Sequence, residues 1–207
     1  MDKFEKNFLK VSLELEKLCK NFSIKGKIPK AHQGIWLPKK EVRAWAIPRS
    51  SGQLLRMLVL ANKPRTILEL GTSFGYSALW LASGVRQYGG RVYTVDLIKP
   101  KIKTAKKYFK KAKLDGSITQ IGGKISDVLN KWNKKVDFVF MDADKSNYLS
   151  YIKQLEPHIK KGTLIIADNA VNFGYLMKDY IAYMTNGGKY CSHLLKMDNG
   201  LLLSVKL

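Results

Sequence analysis

The chain has 207 residues, of which 45% are hydrophobic, so it can bury the core of one domain and is not a disordered chain. No run approaches the ~20 consecutive apolar residues of a membrane-spanning helix, which argues against a membrane protein. The first ten residues mix charged and aromatic side chains and show no secretory segment. Cys19 and Cys191 are far apart and form no CxxC motif, so we expect a cytoplasmic protein without disulfides.

The formal net charge of +21, from 37 basic and 16 acidic side chains, is the unusual property of the composition. Such an excess attracts polyanions, nucleic acid among them. It is densest from Lys99 to Lys113, where eight lysines occur without an acid. Ile102, Ala105 and Phe109 recur there at helical spacing, which also fits a helix whose lysines only face solvent. The composition leaves both interpretations open.

An apolar seam in the first 22 residues predicts an amphipathic helix. Its members are three or four residues apart: Phe4, Phe8, Val11, Leu15, Leu18 and Phe22. The seam can pack on the main domain or on a second subunit. Residues 23–52 are punctuated by Gly and Pro and predict an irregular cap with a short helix around residues 39–46. Ser50-Ser51 is a candidate N-cap of the next helix. We therefore expect an N-terminal helix and cap, residues 1–52, and a main part, residues 53–207, within one compact domain.

From residue 65 onwards, short apolar runs alternate with helical patterns. Strands are predicted at 66–70, 91–96, 117–121, 136–142 and 163–168, and helices at 76–88, 99–114, 126–132, 148–158 and 175–184. This alternation gives a parallel sheet with right-handed crossovers. Two further strands, 191–197 and 201–207, flank Asp198-Asn199-Gly200, a hairpin signal. The prediction is an α/β fold: a Rossmann-like, mostly parallel sheet with a C-terminal antiparallel hairpin and helices on both faces.

The turn after the first of these strands carries Glu69-Leu-Gly71-Thr-Ser-Phe-Gly75. Glycines let the backbone approach a ligand closely, and the next helix offers unpaired N–H groups at its start. The spacing is GxxxG and not the GxGxxG of dinucleotide sites, so we expect an adenosyl ligand with an amino-acid tail instead of NAD. Asp96 ends the next strand and can accept hydrogen bonds from two ribose hydroxyls. Together these features predict binding of S-adenosylmethionine.

Polar side chains also end two later strands: Asp142 ends the strand 136–142, and Asp168-Asn169 follows the strand 163–168. In open α/β sheets ligands bind beyond the carboxyl ends of strands, so these side chains can converge at one rim. Two carboxylates and a carboxamide are hard donors suited to Mg²⁺, Ca²⁺ or Mn²⁺. Lys145 is close enough in sequence to reach the same place. Because acids often end strands for structural reasons, these residues alone leave the metal site as a hypothesis.

Four stretches, in this order along the chain, resemble the motifs of one known family. ILELGTSFGYS at 67–77 resembles its cofactor loop, DADKSNY at 142–148 its DADKxNY motif, IADN at 166–169 its second metal motif and DNGL at 198–201 its terminal hairpin. By these motifs, from about residue 50 to residue 207, the chain is similar to class I S-adenosylmethionine-dependent O-methyltransferases of the metal-dependent catechol and caffeoyl-CoA group.

The resemblance implies roles for individual residues. It implies Asp142, Asp168 and Asn169 as metal ligands and Lys145 as the catalytic base that takes the hydroxyl proton. The cofactor-binding residues that it implies are Glu69, Gly71 and Ser77 near the methionine moiety, Asp96 on the ribose, and Asp142. A metal that holds two vicinal oxygens stabilises the phenolate and orients one oxygen towards the methyl group. The implied cofactors are thus S-adenosylmethionine and Mg²⁺, with Ca²⁺ or Mn²⁺ as alternatives.

Two departures from the family pattern bear on the acceptor and the adenine. Gly122-Gly123-Lys124 stands where many relatives carry an acid for the adenine, and the segment 170–190 is short for gripping a CoA tail. We therefore expect a small phenolic substrate, a catechol-like vicinal diol. The alternative is a tRNA wobble 5-hydroxyuridine O-methyltransferase, and a non-catalytic binding protein is disfavoured by the complete ligand set. The resemblance and the N-terminal seam favour a homodimer.

Overall fold

The computed structural model describes residues 1–21, 23–25 and 41–207. The helices of the described residues are α1 Lys3–Asn21, α2 Arg49–Asn62, α3 Tyr76–Val85, α4 Lys99–Lys111, α5 Ile125–Asn130, α6 Tyr148–Leu155 and α7 Lys178–Asn186. The strands are β1 Ser23–Lys25, β2 Glu41–Arg43, β3 Thr66–Leu70, β4 Arg91–Asp96, β5 Ile118–Gly122, β6 Val136–Met141, β7 Ile159–Asp168, β8 Tyr190–Leu195 and β9 Leu201–Lys206. None of the described helices is long and apolar enough to cross a membrane.

Strands β3 to β9 form one sheet of seven strands in the order β5-β4-β3-β6-β7-β9-β8. Strands β3 to β7 pair in parallel, whereas β9 runs antiparallel to β7 and β8 antiparallel to β9. The predicted α/β fold with a C-terminal antiparallel hairpin is confirmed. The order reverses at β3 and β6, and such a switch point opens a crevice at the carboxyl ends of the strands.

The core lies on both faces of the sheet. Neighbouring residues along β3 point to opposite sides: Ile67 belongs to the cluster that α1 to α4 cover, and Leu68 to the cluster that α5 to α7 cover. Phe138 and Val139 divide in the same way in β6. Burial on both faces explains why these strands are apolar throughout and not in alternation.

Helix α1 packs on the main domain of its own chain, one of the two possibilities that its apolar seam left open. Phe8, Val11 and Leu15 are buried in the same cluster as residues of α2, α3 and α4. The Phe8 ring meets the Trp80 ring edge to face at 4.9 Å, and Arg56 of α2 makes a two-pronged hydrogen bond with Glu5. Contact with a second subunit stays a prediction.

The cap differs from the sequence prediction. Of the short helix predicted around residues 39–46, residues 39 and 40 lie outside the described residues, and Glu41–Arg43 pairs as a strand with Ser23–Lys25. The N-cap prediction is also wrong, because α2 begins at Arg49 after Pro48. Pro48 is the N-cap residue, with φ −56° and ψ 153°, and it makes no side-chain cap hydrogen bond. The boundary at 52/53 falls inside α2, and the division of the chain there stays a prediction.

Candidate active site

The turn between β3 and α3 is fixed against both neighbouring strands. Gly71 and Gly75 have positive φ angles of 104° and 87°. A Cβ atom at Gly71 would lie 2.3 Å from the carbonyl oxygen of Asp142, so glycine is required for this approach of β3 to the end of β6. The N–H groups of Gly71 and Thr72 donate to the Val95 carbonyl at 3.0 and 3.1 Å. The predicted cofactor loop therefore lies at the switch point of the sheet.

Glu69 is a fully buried carboxyl group near the end of β3. Its Oε2 accepts a hydrogen bond from the hydroxyl of Thr94, which lies 2.5 Å from the hydroxyl of Thr72. Its Oε1 is buried and has no partner in hydrogen-bonding geometry among the described residues. Burial raises the pKa of Glu69 to about 8, although the nearby hydroxyls of Ser77 and Thr94 lower it. A donor or a positive charge on a bound ligand would offset the cost of this buried oxygen.

Asp96, at the end of β4, has a carboxylate held by the backbone. The N–H of Ser73 donates to Oδ2 and the N–H of Ile98 to Oδ1, both at 2.8 Å. Gly122, at the end of β5, pairs in register with Asp96, and the N–H of Gly123 donates to the Asp96 carbonyl at 3.0 Å. The end of β5, beside Asp96, which is predicted to bind the ribose, therefore has no acidic side chain and exposes only glycine backbone to a bound cofactor.

Lys145 and Asp142 form an ion pair directly after β6. The Lys145 Nζ lies 2.6 Å from Oδ1 of Asp142, and the lysine is buried. The carboxylate of Asp144 accepts the N–H of Ser146 at 3.2 Å and the carboxamide N–H of Asn147 at 2.7 Å, which caps the short turn that carries Lys145. In the DADKSN sequence, Asp142 therefore pairs with Lys145, and Asp144 stabilises the turn that carries it.

Tyr148, the last residue of this motif, forms hydrogen bonds with the backbone at the end of β6. Its hydroxyl donates to the Met141 carbonyl at 2.8 Å and accepts the N–H of Ala143 at 3.2 Å. The side chain is fully buried, and its ring lies 5.4 Å from the Lys145 Nζ. We therefore assign this tyrosine a structural part in holding the segment between β6 and α6.

Asp168 ends β7 beside β6 and is only 3% exposed. Burial raises the pKa of Asp168 well above its ordinary value, the charge of Asp142 raises it further, and Lys145 lowers it. Asn169 follows with a left-handed φ of 66°, a conformation that asparagine tolerates better than most residues. The structure brings Asp142, Lys145 and Asp168 close enough to act on one another electrostatically, and Asn169 follows Asp168 directly in the chain.

The donors at this rim fit a hard divalent cation. Within the described part of the chain, no group of three or more His, Cys, Asp and Glu side chains is arranged to hold a metal. The carboxamide of Asn169 would be the third oxygen donor beside the carboxylates of Asp142 and Asp168. The repulsion between the two carboxylates, seen in the raised pKa of Asp168, is the kind of cost that a bound cation removes.

A groove of about 560 Å³ opens beside Lys145, between α6 and the segment that leads into α7. Leu149 and Met177 provide apolar wall, and Tyr175, which is 59% exposed, provides an aromatic ring. Lys153 and Lys178 also line it. The volume of the groove suits a small molecule, and its lining is more polar than apolar.

Lys101 is a buried residue of this region that the sequence analysis counted among the solvated lysines. It is 6% exposed in the first turn of α4, and its Nζ lies 5.5 Å from the ring centroid of Trp45. Burial lowers its pKa, and the charges of Asp96 and Asp142 raise it. A signal was available, because Lys101 precedes the buried Ala105 by four residues and therefore shares its helix face.

Comparison with known proteins agrees with this site. A family model described as O-methyltransferase matches residues 37–201. Catechol O-methyltransferase of Sus scrofa is 30% identical over 159 residues, 73% of this chain and 84% of that protein. Caffeoyl-CoA O-methyltransferase of Populus kitakamiensis is 30% identical over 139 residues, 65% of this chain. The chain spans 59% of the length of the Populus protein.

A solved structure shows the same fold. The O-methyltransferase from Bacillus cereus, in complex with SAH, superposes with a TM-score of 0.73 at 23% identity, covering 100% of this chain and 92% of that one. Fold and rim together define a class I methyltransferase. More particularly, the chain belongs to the O-methyltransferase family of the catechol and caffeoyl-CoA type, and it is an S-adenosylmethionine-dependent O-methyltransferase.

Proposed function

We propose that the protein methylates a hydroxyl of a small catechol-like aromatic and that it does so with a divalent cation. The observation that carries the proposal is the Lys145–Asp142 ion pair: its lysine lines the groove, and the charges of both residues act on the buried Asp168. A planar diol in this groove would have its oxygens beside hard ligands and a base. Relatives named catechol O-methyltransferase support this class of acceptor.

The chemical step needs one proton acceptor and one leaving group. The proton of the acceptor hydroxyl passes to the Nζ of Lys145, which must first release the proton of its ion pair with Asp142 to solvent, and the ionised oxygen forms a bond to the methyl carbon. The bond between this carbon and the sulfonium sulfur breaks, its electron pair stays on sulfur, and S-adenosylhomocysteine leaves. In-line alignment of oxygen, carbon and sulfur dominates the rate of such a transfer. The turn that Asp144 caps keeps Lys145 in its place during the reaction.

Asp142, Asp168 and Asn169 would hold the divalent cation. When bound, it would chelate both oxygens of the diol and favour the ionised hydroxyl. On the cofactor side, we propose that Asp96 accepts hydrogen bonds from the ribose hydroxyls. We propose that Glu69, Ser77 and Gly71 lie against the methionine moiety, where the unpartnered Oε1 of Glu69 offers an acceptor.

Transfer of labelled methyl groups to catechol tests this proposal. The full chain should be active with Mg²⁺, inactive in excess EDTA and active again when Mg²⁺ is restored. Asp168→Asn should lower turnover at least about tenfold, as loss of metal-site residues does. Asp137→Asn is the matched control, because Asp137 lies at the opposite end of β6 and accepts the N–H groups of Arg65 and Thr66. Full activity in EDTA would contradict metal dependence without contradicting the methyltransferase activity.

A second candidate acceptor, a hydroxylated wobble uridine of tRNA, is favoured by the lysines of the groove. Lys153 and Lys178 line it beside Lys145 and are placed to meet phosphates of an RNA acceptor. Each phosphate contact should steepen the fall of log K with log salt by about 0.7 to 0.9. Parallel assays with tRNA should show methylation that Lys153→Gln with Lys178→Gln reduces, while Lys106→Gln with Lys110→Gln does not. Efficient catechol methylation without transfer to tRNA would exclude this candidate.

A further inference from the structure

The turn of the C-terminal hairpin is bound to the start of α2. Oδ2 of Asp198 accepts the hydroxyl hydrogens of Ser50 at 2.6 Å and Ser51 at 2.7 Å. Both serines lie in the first turn of α2, where unpaired N–H groups and the helix dipole favour a negative charge. These hydrogen bonds join parts of the chain that are almost 150 residues apart in sequence.

The same turn holds the segment that follows β7. The N–H of Ala170 donates to the Gly200 carbonyl at 2.9 Å, and the N–H groups of Val171 and Asn172 donate to the Asn199 carbonyl at 3.1 and 3.2 Å. A Cβ atom at Gly200 would lie 2.4 Å from the Val171 side chain, so the two segments are in close contact. Three successive amides after Asn169 are therefore fixed by the hairpin turn.

Asn169 depends on this arrangement for its conformation. It lies between Asp168, which pairs in register with Leu201 of β9, and Ala170, which the hairpin turn holds. Its φ of 66° is a left-handed conformation that asparagine tolerates, and the pairings on either side fix where its side chain points. A shift of the hairpin turn relative to α2 would move Ala170 and with it the carboxamide of Asn169.

We propose that Asp198 is a positioning residue for the cation site, acting by tethering the hairpin turn to Ser50 and Ser51. This inference rests on the proposed function, because it requires a divalent cation at Asp142, Asp168 and Asn169. Asp198 is not itself a ligand: its carboxylate is committed to the two serines, and it acts through the backbone of residues 170–172. The tether sets the affinity of the site for the cation by limiting the positions that the carboxamide of Asn169 samples.

The backbone at Asp198 permits a clean set of variants. Its φ is 54°, which suits glycine and asparagine. Asp198→Gly therefore removes the carboxylate without straining the turn, and Asp198→Asn keeps an acceptor oxygen for the serines. Ser50→Ala with Ser51→Ala removes the two hydroxyl hydrogen bonds from the other side and leaves the one that the backbone of Ser51 donates to Asp198. Asp137→Ala, which removes a carboxylate that bridges elements at the far end of the sheet, is the control.

Titration of the purified full-length chain with Mn²⁺, with the free ion followed by electron paramagnetic resonance, measures the effect without catalysis. Asp198→Gly and the double serine variant should each raise Kd about tenfold, the lower end for residues that support metal ligands. Asp198→Asn should stay close to the wild type. The triple variant should bind no more weakly than Asp198→Gly, because all three changes break the same tether. Asp137→Ala should lower the thermal midpoint and leave Kd unchanged.

The results distinguish failure of the Asp198 tether from failure of the cation site itself. Absence of Mn²⁺ binding by the wild type would contradict the proposed cation site itself. Wild-type binding with an unchanged Kd in Asp198→Gly would refute the tether. An Asp198→Asn variant as weak as Asp198→Gly would also refute it, since the negative charge of Asp198 and not its hydrogen bonds would then attract the cation.

Discussion

Replacing Glu69 by glutamine should stabilise the ligand-free protein at neutral pH. The carboxyl group is fully buried, and burial raises its pKa from 4.5 to about 8. A carboxyl with a raised pKa in the folded state contributes stability that is fully present below pH 4.5 and is lost as the pH rises through about 8. Glutamine has nearly the same shape and carries no charge in either state, so the variant lacks this loss.

The size of the effect follows from the shift. With about 1.4 kcal/mol for each pKa unit, a rise from 4.5 to about 8 lowers the free energy of unfolding by about 3 kcal/mol at pH 7 and about 1 kcal/mol at pH 5. The advantage of Glu69→Gln over the wild type should therefore grow by about 2 kcal/mol between these pH values. The buried amide N–H of glutamine lacks an acceptor, and this destabilises the variant. The cost is the same at pH 5 and pH 7, so it does not affect the change in stability difference between the two pH values.

Urea unfolding of both proteins at pH 5 and pH 7, without cofactor, measures this change. The slope with denaturant should be alike in all four curves, so that the midpoints report stability directly. Asp115→Asn is the matched control, because it makes the same change from acid to amide at an exposed position in a surface turn. If Glu69→Gln and the wild type change in parallel from pH 5 to pH 7, the carboxyl is not held protonated by burial and the reasoning fails.

Three further variants address the reaction, the cofactor and the turn. Lys145→Ala should lower kcat by roughly 10²-fold, as loss of a general base does, while the Kd for S-adenosylhomocysteine stays constant; a wild-type kcat would exclude this lysine as the base. Asp96→Asn should weaken binding of that ligand in calorimetry by about 1 to 3 kcal/mol, and unchanged affinity would place the ribose elsewhere. Gly71→Ala should cost at least about 2 kcal/mol of stability, because its Cβ would meet the carbonyl of Asp142. Gly116→Ala, with no atom within 4 Å, should cost little, and equal unfolding midpoints would contradict the tight approach.

Elements that local pattern controls were predictable from the sequence. β3 and β4 occupy the predicted residues 66–70 and 91–96, because strands buried between two helix layers are apolar runs with sharp ends. The rim was predictable for a related reason, since carboxyl ends of parallel strands share one edge and Asp142 and Asp168 sit at two such ends. Family resemblance added roles to these positions, and those roles stay predictions until the variants are measured.

Features that depend on distant partners were not predictable. Ser50 and Ser51 suited an N-cap, but their hydroxyls bind Asp198 at the other end of the chain, and spacing carries no information about such a partner. Glu69 was recognised as part of the cofactor motif, but its raised pKa was not predictable, because it comes from burial in the central strand β3. The strand at Glu41–Arg43 exists by pairing with Ser23–Lys25, a contact that no local pattern shows.

Whether the net charge of +21 favours an RNA acceptor depends on where the lysines lie more than on their number. Helix α4 holds much of the excess, yet it starts near the rim after Asp96 and runs back along the sheet, so that its last lysines approach the opposite edge. There the Nζ of Lys111 pairs with Glu14 of α1 at 2.6 Å, and at the start of the helix Lys101 is buried. Lys101 and Lys111 therefore make contacts within the chain, and the lysine-rich run by itself does not favour an RNA acceptor over a small one. Lys153 and Lys178, which line the groove beside Lys145, are the lysines placed to contact an RNA acceptor.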